Sequence, residues 1–284
     1  MNEENENRIS LVGKLIIRGE IVAKTGLHIG GSKSSLDIGG IDMNVIKTPK
    51  GVPYIPGSSL KGKMRSLLGK VEGSTEVKYD SKSLQQIFGI GGENTNTSET
   101  TYTRLLIRDC YLHEKKFHED FTEQGAVMEM EYSDAKWENV IVRTKGSAEH
   151  PRQLERVPAG ARFSFEMVYS ILSDKNNIYV NEEDANSEEN KSTNKEDKKI
   201  LEVHLSKIIL ALKLLKDDYI GGSGSRGYGQ IIFDDLKVEQ KMIDEHKMNY
   251  ESISFEKDPT VKMFSDNLKA LNEVKENKQN NQAK

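Results

Sequence analysis

The residues best equipped for chemistry lie close together between Thr25 and Arg65, in TGLHIGGSKSSLDIGGIDMNVIKTPKGVPYIPGSSLKGKMR. Glycines, hydroxyls, an imidazole, a lone acid and several cations crowd into loops that bury little apolar surface, as a ligand-touching segment would. The charge says which class of ligand. Residues 8–70 hold 11 Lys and Arg against 3 Asp and Glu, residues 71–142 hold 7 against 14, and the whole chain carries a net −4. The glycine-rich loops are thus the basic part of an acidic protein. A polyanion prefers such a face, because each phosphate neutralised releases condensed counterions. Ser58, Ser59, Lys61 and Arg65 set hydroxyls and cations at a predicted helix start, where free backbone N–H groups also suit a phosphate. The plainer reading of Lys61 and Arg65 is a solvated helix face. Arg152, Gln153 and Arg156 form a second basic block in HPRQLERV, whose plainer reading is local turn bonding. Gly224, Ser225 and Arg226 lie in a third, GGSGSRGYG, where glycine lets backbone approach a phosphodiester.

Two motifs imitate nucleotide sites and fail on context. GSSLKGK (Gly57–Lys63) fits a phosphate-binding loop up to its lysine, but Met64 stands where a Ser or Thr must hold magnesium, and the preceding VPYIP is a poor central strand. GSGSRG (Gly222–Gly227) fits G-x-G-x-x-G, yet a predicted helix precedes it and a strand follows, the reverse of a dinucleotide fold.

The elements that must position these loops are readable. Leu11–Ala23, Thr103–Leu112, Arg162–Leu172 and Gly227–Val238 read as strands. Ser58–Gly69 reads as a helix capped by its serines and stopped at Gly69, and Ile200–Lys216 as a long amphipathic helix. The order strand, helix, strand, strand, helix, strand predicts an α+β, ferredoxin-like (RRM-like) βαββαβ core over residues 8–238. Residues 126–157 interrupt it with a predicted hairpin, and residues 174–199, polar and acidic, read as a mobile insertion. Residues 239–284 form a C-terminal extension, helical in part over Val261–Val274 and otherwise disordered.

Composition narrows the class further. At 35% hydrophobic and 30% charged, the chain has no apolar run approaching the roughly 20 residues needed to span a bilayer, so no membrane partner is expected. MNEENENR is no signal peptide. Cys110 is the only cysteine, which excludes an internal disulfide and cysteine-rich zinc sites, and a reducing cytoplasm is the simplest compartment.

Taken together, TGLHIGG, GIDMNVIK with IPGSSLKGKMR, HPRQLERV and GGSGSRGYGQI resemble, in identity and order, the RAMP superfamily of RNA-binding proteins of CRISPR effectors. The resemblance is closest to the repeated backbone subunit of type III-A complexes and spans roughly Leu11 to Val238. It implies that copies stack as a filament along CRISPR guide RNA beside other effector subunits, including the large Cas10-type subunit. Each copy would insert a thumb hairpin, here residues 126–157, into the guide–target duplex and cut the paired target RNA with one aspartate. That aspartate falls on Asp42. On the sequence alone a lone Asp beside glycine is a turn former.

The implied chemistry is sound. RNA brings its own nucleophile, the 2′-hydroxyl, and the protein has only to place it in line and offset phosphate charge. One carboxylate suffices to help hold a divalent cation, Mg2+ or Mn2+, with phosphate oxygens and water. Asp42 is read as metal ligand or geometry-setter rather than sole base, since a carboxylate near its ordinary pKa is a weak base at pH 7. The products would be a 2′,3′-cyclic phosphate and a 5′-hydroxyl. The resemblance also assigns guide contact to His28, Lys47, Ser58, Ser59, Lys61, Arg65, Arg152, Gln153, Arg156, Gly224, Ser225 and Arg226. Without it, His28 is a packed loop histidine. Trp137, the only tryptophan, would stack on a base or pin the hairpin to a neighbour. The competing readings are a structural guide-binding subunit that never cuts, a subunit of another type III branch, and a stand-alone RNA-processing endonuclease.

Overall fold

The computed structural model describes residues 9–31, 43–90, 102–174, 188–244, 249–255 and 258–272. In chain order its first elements are β1 (Ile9–Ala23), β2 (Tyr54–Ile55), α1 (Gly57–Glu72), α2 (Lys82–Phe88), β3 (Leu105–Ile107), β4 (Cys110–Tyr111) and α3 (Glu114–Phe117). Then follow β5 (Asp134–Ile141), β6 (Ala148–Arg156), β7 (Arg162–Asp174), α4 (Glu188–Asp217), β8 (Ile231–Asp244), β9 (Asn249–Ile253) and α5 (Pro259–Lys269). The fold is mixed α/β. Its main sheet is antiparallel throughout, in the order β3-β7-β1-β8-β9.

Period-two alternation decides which way β1 faces. Leu15, Ile17 and Ile21 are fully buried beneath helices, while Arg18 points to the opposite face. Leu60, Met64, Leu67 and Leu68 of α1, at helical spacing, meet Leu205, Ile208, Leu212 and Leu215 of α4 over that sheet face. The other face is charged. Arg18 lies between Glu166 (2.7 Å) and Glu239 (2.8 Å), and Arg162 is held by Glu20 and Asp234. These cations already have anions on the same face.

Several predicted elements differ from those observed. The Thr103–Leu112 strand breaks at Arg108–Asp109. β3 stays in the main sheet, whereas β4 leaves to pair with β2. The break has a use, since Asp109 Oδ1 accepts a hydrogen bond from Gly57 N (2.8 Å). Pro56 occupies the N-cap of α1 with no side-chain cap, so Asp109 does the work expected of the serines. Gly69 does not stop α1. The helix runs on to Glu72 and closes at Gly73, in left-handed conformation at φ 74°. The last strand begins at Ile231 rather than Gly227 and runs to Asp244, so the boundary drawn at 238 falls inside β8. β9 then adds a fifth strand, and α5, capped by Asp258, buries Val261, Phe264 and Leu268. α4 starts at Glu188, within the segment expected to be mobile.

β5 and β6 make a hairpin of their own, with Asp134 opposite Arg156, Trp137 opposite Gln153 and Glu138 opposite Arg152. Residues 126–133 stay outside it. Tyr132 instead tucks against Phe117, its ring centroid 5.5 Å away.

Candidate nucleic-acid interface

Three basic segments, far apart in sequence, meet at the base of the β5–β6 hairpin, and one buried acid joins two of them. Glu155, only 1% exposed, has no counterpart among the predicted site residues. Its Oε2 accepts from Val45 N (2.9 Å), and its Oε1 lies 2.6 Å from Lys47 Nζ and accepts from Ser133 Oγ. Its backbone N–H bonds Met43 O (3.0 Å), and its carbonyl accepts from His28 Nδ1 (2.7 Å), which must therefore carry the proton. Leu27 and Val157 exchange a pair of backbone hydrogen bonds alongside. A fully bonded carboxylate of this kind is structural, since leaving any of these groups unpaired in the interior is costly.

His28 is consequently placed differently from a surface RNA contact. Its side chain is buried under the glycine loop, and Gly222 N donates to its carbonyl (2.8 Å). Gly221, at φ 82°, leaves no room for a Cβ, which would fall 2.2 Å from His28 O. Gly224 lies flat on the Tyr219 ring, where a Cβ would come within 2.1 Å. Lys63 caps the same ring at 3.8 Å and pairs with Asp218 (3.3 Å), which ties α1 to the glycine loop. Gly224–Arg226 form a single 3₁₀ turn that leaves Ser225 and Arg226 exposed.

Arginines surround the junction. Arg226 Nη1 is 3.1 Å and Arg152 Nη2 is 3.6 Å from Glu138 Oε2, and Arg156 Nη2 is 3.6 Å from Asp134 Oδ2. All three remain open to solvent. Gln153 lies opposite Trp137, which is exposed. Lys47 is half-buried against Glu155 and so supports the loop as well as carrying charge.

The α1 residues divide. Ser58 is exposed and Ser59 half-buried at the helix start. Lys61 turns away to donate to Thr103 Oγ1 (3.0 Å), and burial, then Arg65, lowers its pKa. Arg65 is drawn inward by Asp80 (2.7 Å) and braces α1 against the segment before α2. The structure thus gathers His28, Lys47, Arg152, Gln153, Arg156 and Gly224–Arg226 about the hairpin base, places Ser58 and Ser59 on the same helix as Lys63, and leaves Lys61 and Arg65 facing other partners. Asp42 lies outside the described residues. Its covalent neighbour Met43 is the residue bonded to Glu155. Among the described residues no three His, Cys, Asp or Glu side chains converge to hold a metal, and Glu155 is already committed to other partners. No helix among them is long and apolar enough to cross a membrane.

Sequence missed Glu155, Glu138, Asp134 and Tyr228. The only trace of the first is an acid set between leucine and arginine in HPRQLERV.

The profile of the RAMP superfamily matches residues 20–232. A protein of Methanocaldococcus jannaschii named CRISPR system Cms endoribonuclease Csm3 is 35% identical over 274 residues, covering 94% of this chain and 93% of that protein. One of the same name from Streptococcus thermophilus is 38% identical over 229 residues, covering 79% and 89%. Among solved structures, a chain of a Csm3-Csm4 subcomplex from the type III-A CRISPR-Cas interference complex aligns with TM-score 0.47 at 26% identity, covering 92% of this chain and 97% of that one. The matched span takes in every basic segment that meets at the hairpin base, and the chain belongs to the RAMP superfamily.

Proposed function

We propose that this chain is the repeated backbone subunit of a type III-A CRISPR ribonucleoprotein, binding guide RNA and cleaving the paired target RNA at regular intervals as an endoribonuclease. The observation that carries the reading is the convergence of three separated basic segments, two of them glycine-rich, on one hairpin base. Two further points support it. The order β3-β7-β1-β8, with α1 and α4 on one face, is that expected of a ferredoxin-like core, and β5 and β6 pair with each other apart from the main sheet, as the strands of a thumb would. Copies of the chain stack along the guide, with other subunits, the large Cas10-type subunit among them, completing the particle in the cytoplasm.

In this mechanism the loops grip the guide backbone through Arg152, Arg156, Arg226, Ser225, the first turn of α1 and backbone N–H groups. His28 acts through the loop it supports. Asp42 stands at the target strand and orients the scissile phosphate for in-line attack by the adjacent 2′-hydroxyl. The P–O5′ bond breaks, leaving a 2′,3′-cyclic phosphate and a 5′-hydroxyl. A divalent ion, Mg2+ or Mn2+, held by Asp42 and RNA oxygens, would supply charge neutralisation.

The test is Asp42→Ala in the reconstituted complex. Guide and target binding should stay within about twofold while cleavage falls by at least about 100-fold. Regular cutting by the variant complex would remove Asp42 from the mechanism, and cutting in excess chelator would remove the metal.

A further inference from the structure

Glu138 is an acid for which an RNA-gripping surface has no evident use. It lies in the middle of the basic junction, its side chain 11% exposed, against Arg226 and Arg152. Neither contact completes a hydrogen bond. Glu138 Oε2 is a buried oxygen without one, and the Tyr228 hydroxyl, on a side chain 2% exposed, is another. Burial and then the charge of Glu138 push the Tyr228 ionisation upward, which puts the phenol beside that carboxylate, in reach of it but without the geometry of a completed hydrogen bond. Lys136, two residues back on the same face of β5, sits 4.6 Å over the Tyr228 ring. Where the hairpin meets the glycine loop, the Glu138 carboxylate thus faces two guanidiniums and a phenol, with the Lys136 ammonium over that phenol's ring.

The contrast with Glu155 is telling. Glu155 is fully bonded and closed to solvent, so it stays. Glu138 lies against arginines that are 50% and 41% exposed and completes a hydrogen bond to neither, so charge alone holds it there. A phosphate offers the same two guanidiniums forked, charge-assisted hydrogen bonds, which are stronger.

We propose that Glu138 is an internal stand-in for an RNA phosphate: it holds Arg152 and Arg226 together in the free chain and is displaced from them by a backbone phosphate of the bound guide. This rests on the guide-binding function above and adds to it a residue that sets affinity by competition.

The full-length chain with labelled single-stranded oligouridine tests it. Glu138→Gln removes the competitor and should tighten binding by about fivefold, the factor one displaced ion pair is worth. That gain should vanish when Arg152→Ala and Arg226→Ala are added, whereas a mere change of net charge would survive them. Weaker binding, unchanged binding, or an equal gain without the arginines overturns the proposal. Should the glutamine variant fail to fold, Glu138→Asp, which withdraws the carboxylate by one methylene, must show the same gain. Wild-type chain that ignores the RNA altogether sinks the guide-binding function as well. Wild-type binding with no effect of either variant sinks only the role of Glu138.

Discussion

Glu138 and Glu155 sit on the same hairpin and are both acids in a basic neighbourhood, yet their environments assign them opposite behaviour. Glu155 is the hub that holds Met43, Val45, Lys47, Ser133 and His28 to β6. Its replacement by Ala should cost about 3 kcal/mol, because Lys47 and a backbone N–H then face a cavity. Urea unfolding of the isolated chain measures this, and a loss under about 1 kcal/mol would mean that these groups find water instead. Glu138→Gln should barely change the same midpoint. Cys110 illustrates burial in its simplest form: the thiol, pushed up to about 12 by burial and then by Asp109, is a small core hydrophobe with no role as a nucleophile. At this scale the arginines were legible in the sequence and the carboxylates that hold them were not. An Arg in a glycine loop advertises its charge locally, whereas the burial of an acid depends on partners from other segments, as Glu138 depends on Arg226 and Glu155 on Val45.

Among elements, α4 and β7 share a polar contact in an otherwise apolar layer. The Tyr169 hydroxyl and His204 Nδ1 share a hydrogen bond of 2.7 Å, and both side chains are nearly fully buried. Burial, with Arg104 and Lys207 nearby, lowers the His204 pKa to about 3. The folded chain therefore keeps His204 neutral while the unfolded chain protonates it near 6.5. The unfolded state binds the extra proton between these values, so stability is full above about pH 6.5 and falls by up to about 1.4 kcal/mol per pH unit as the pH drops towards 3. Unfolding midpoints at pH 7.5, 6 and 5 should trace this decline, and His204→Gln should flatten it. A variant with the wild-type slope would assign the decline to carboxylates instead. The strands and helices themselves were readable because alternation and helical spacing are local. The break between β3 and β4 was not, because it exists to bring Asp109 to the start of α1.

For the whole molecule, the question is how an acidic chain holds a polyanion. The sheet face pairs Arg18 with both Glu166 and Glu239, and the binding proposed here runs through the loop edge. If Arg152, Arg156 and Arg226 each meet one phosphate, log K for single-stranded RNA should fall against log salt with a slope of about −2, and Arg156→Ala should reduce its magnitude by about 0.7. A slope indifferent to all three arginines would move the RNA elsewhere. Sequence by itself determined the elements of the core, the basic character of the loops and the family, because periodicity, charge and motif order are written along the chain. It also marked Asp42 as the residue to test. Only the tertiary structure decided which cations face a common edge and which are spent inside, since Arg65 and Arg226 look alike until Asp80 draws one inward and Glu138 holds the other at the surface. The physical reason is that pairing and burial are properties of neighbours in space, and folding alone chooses those neighbours.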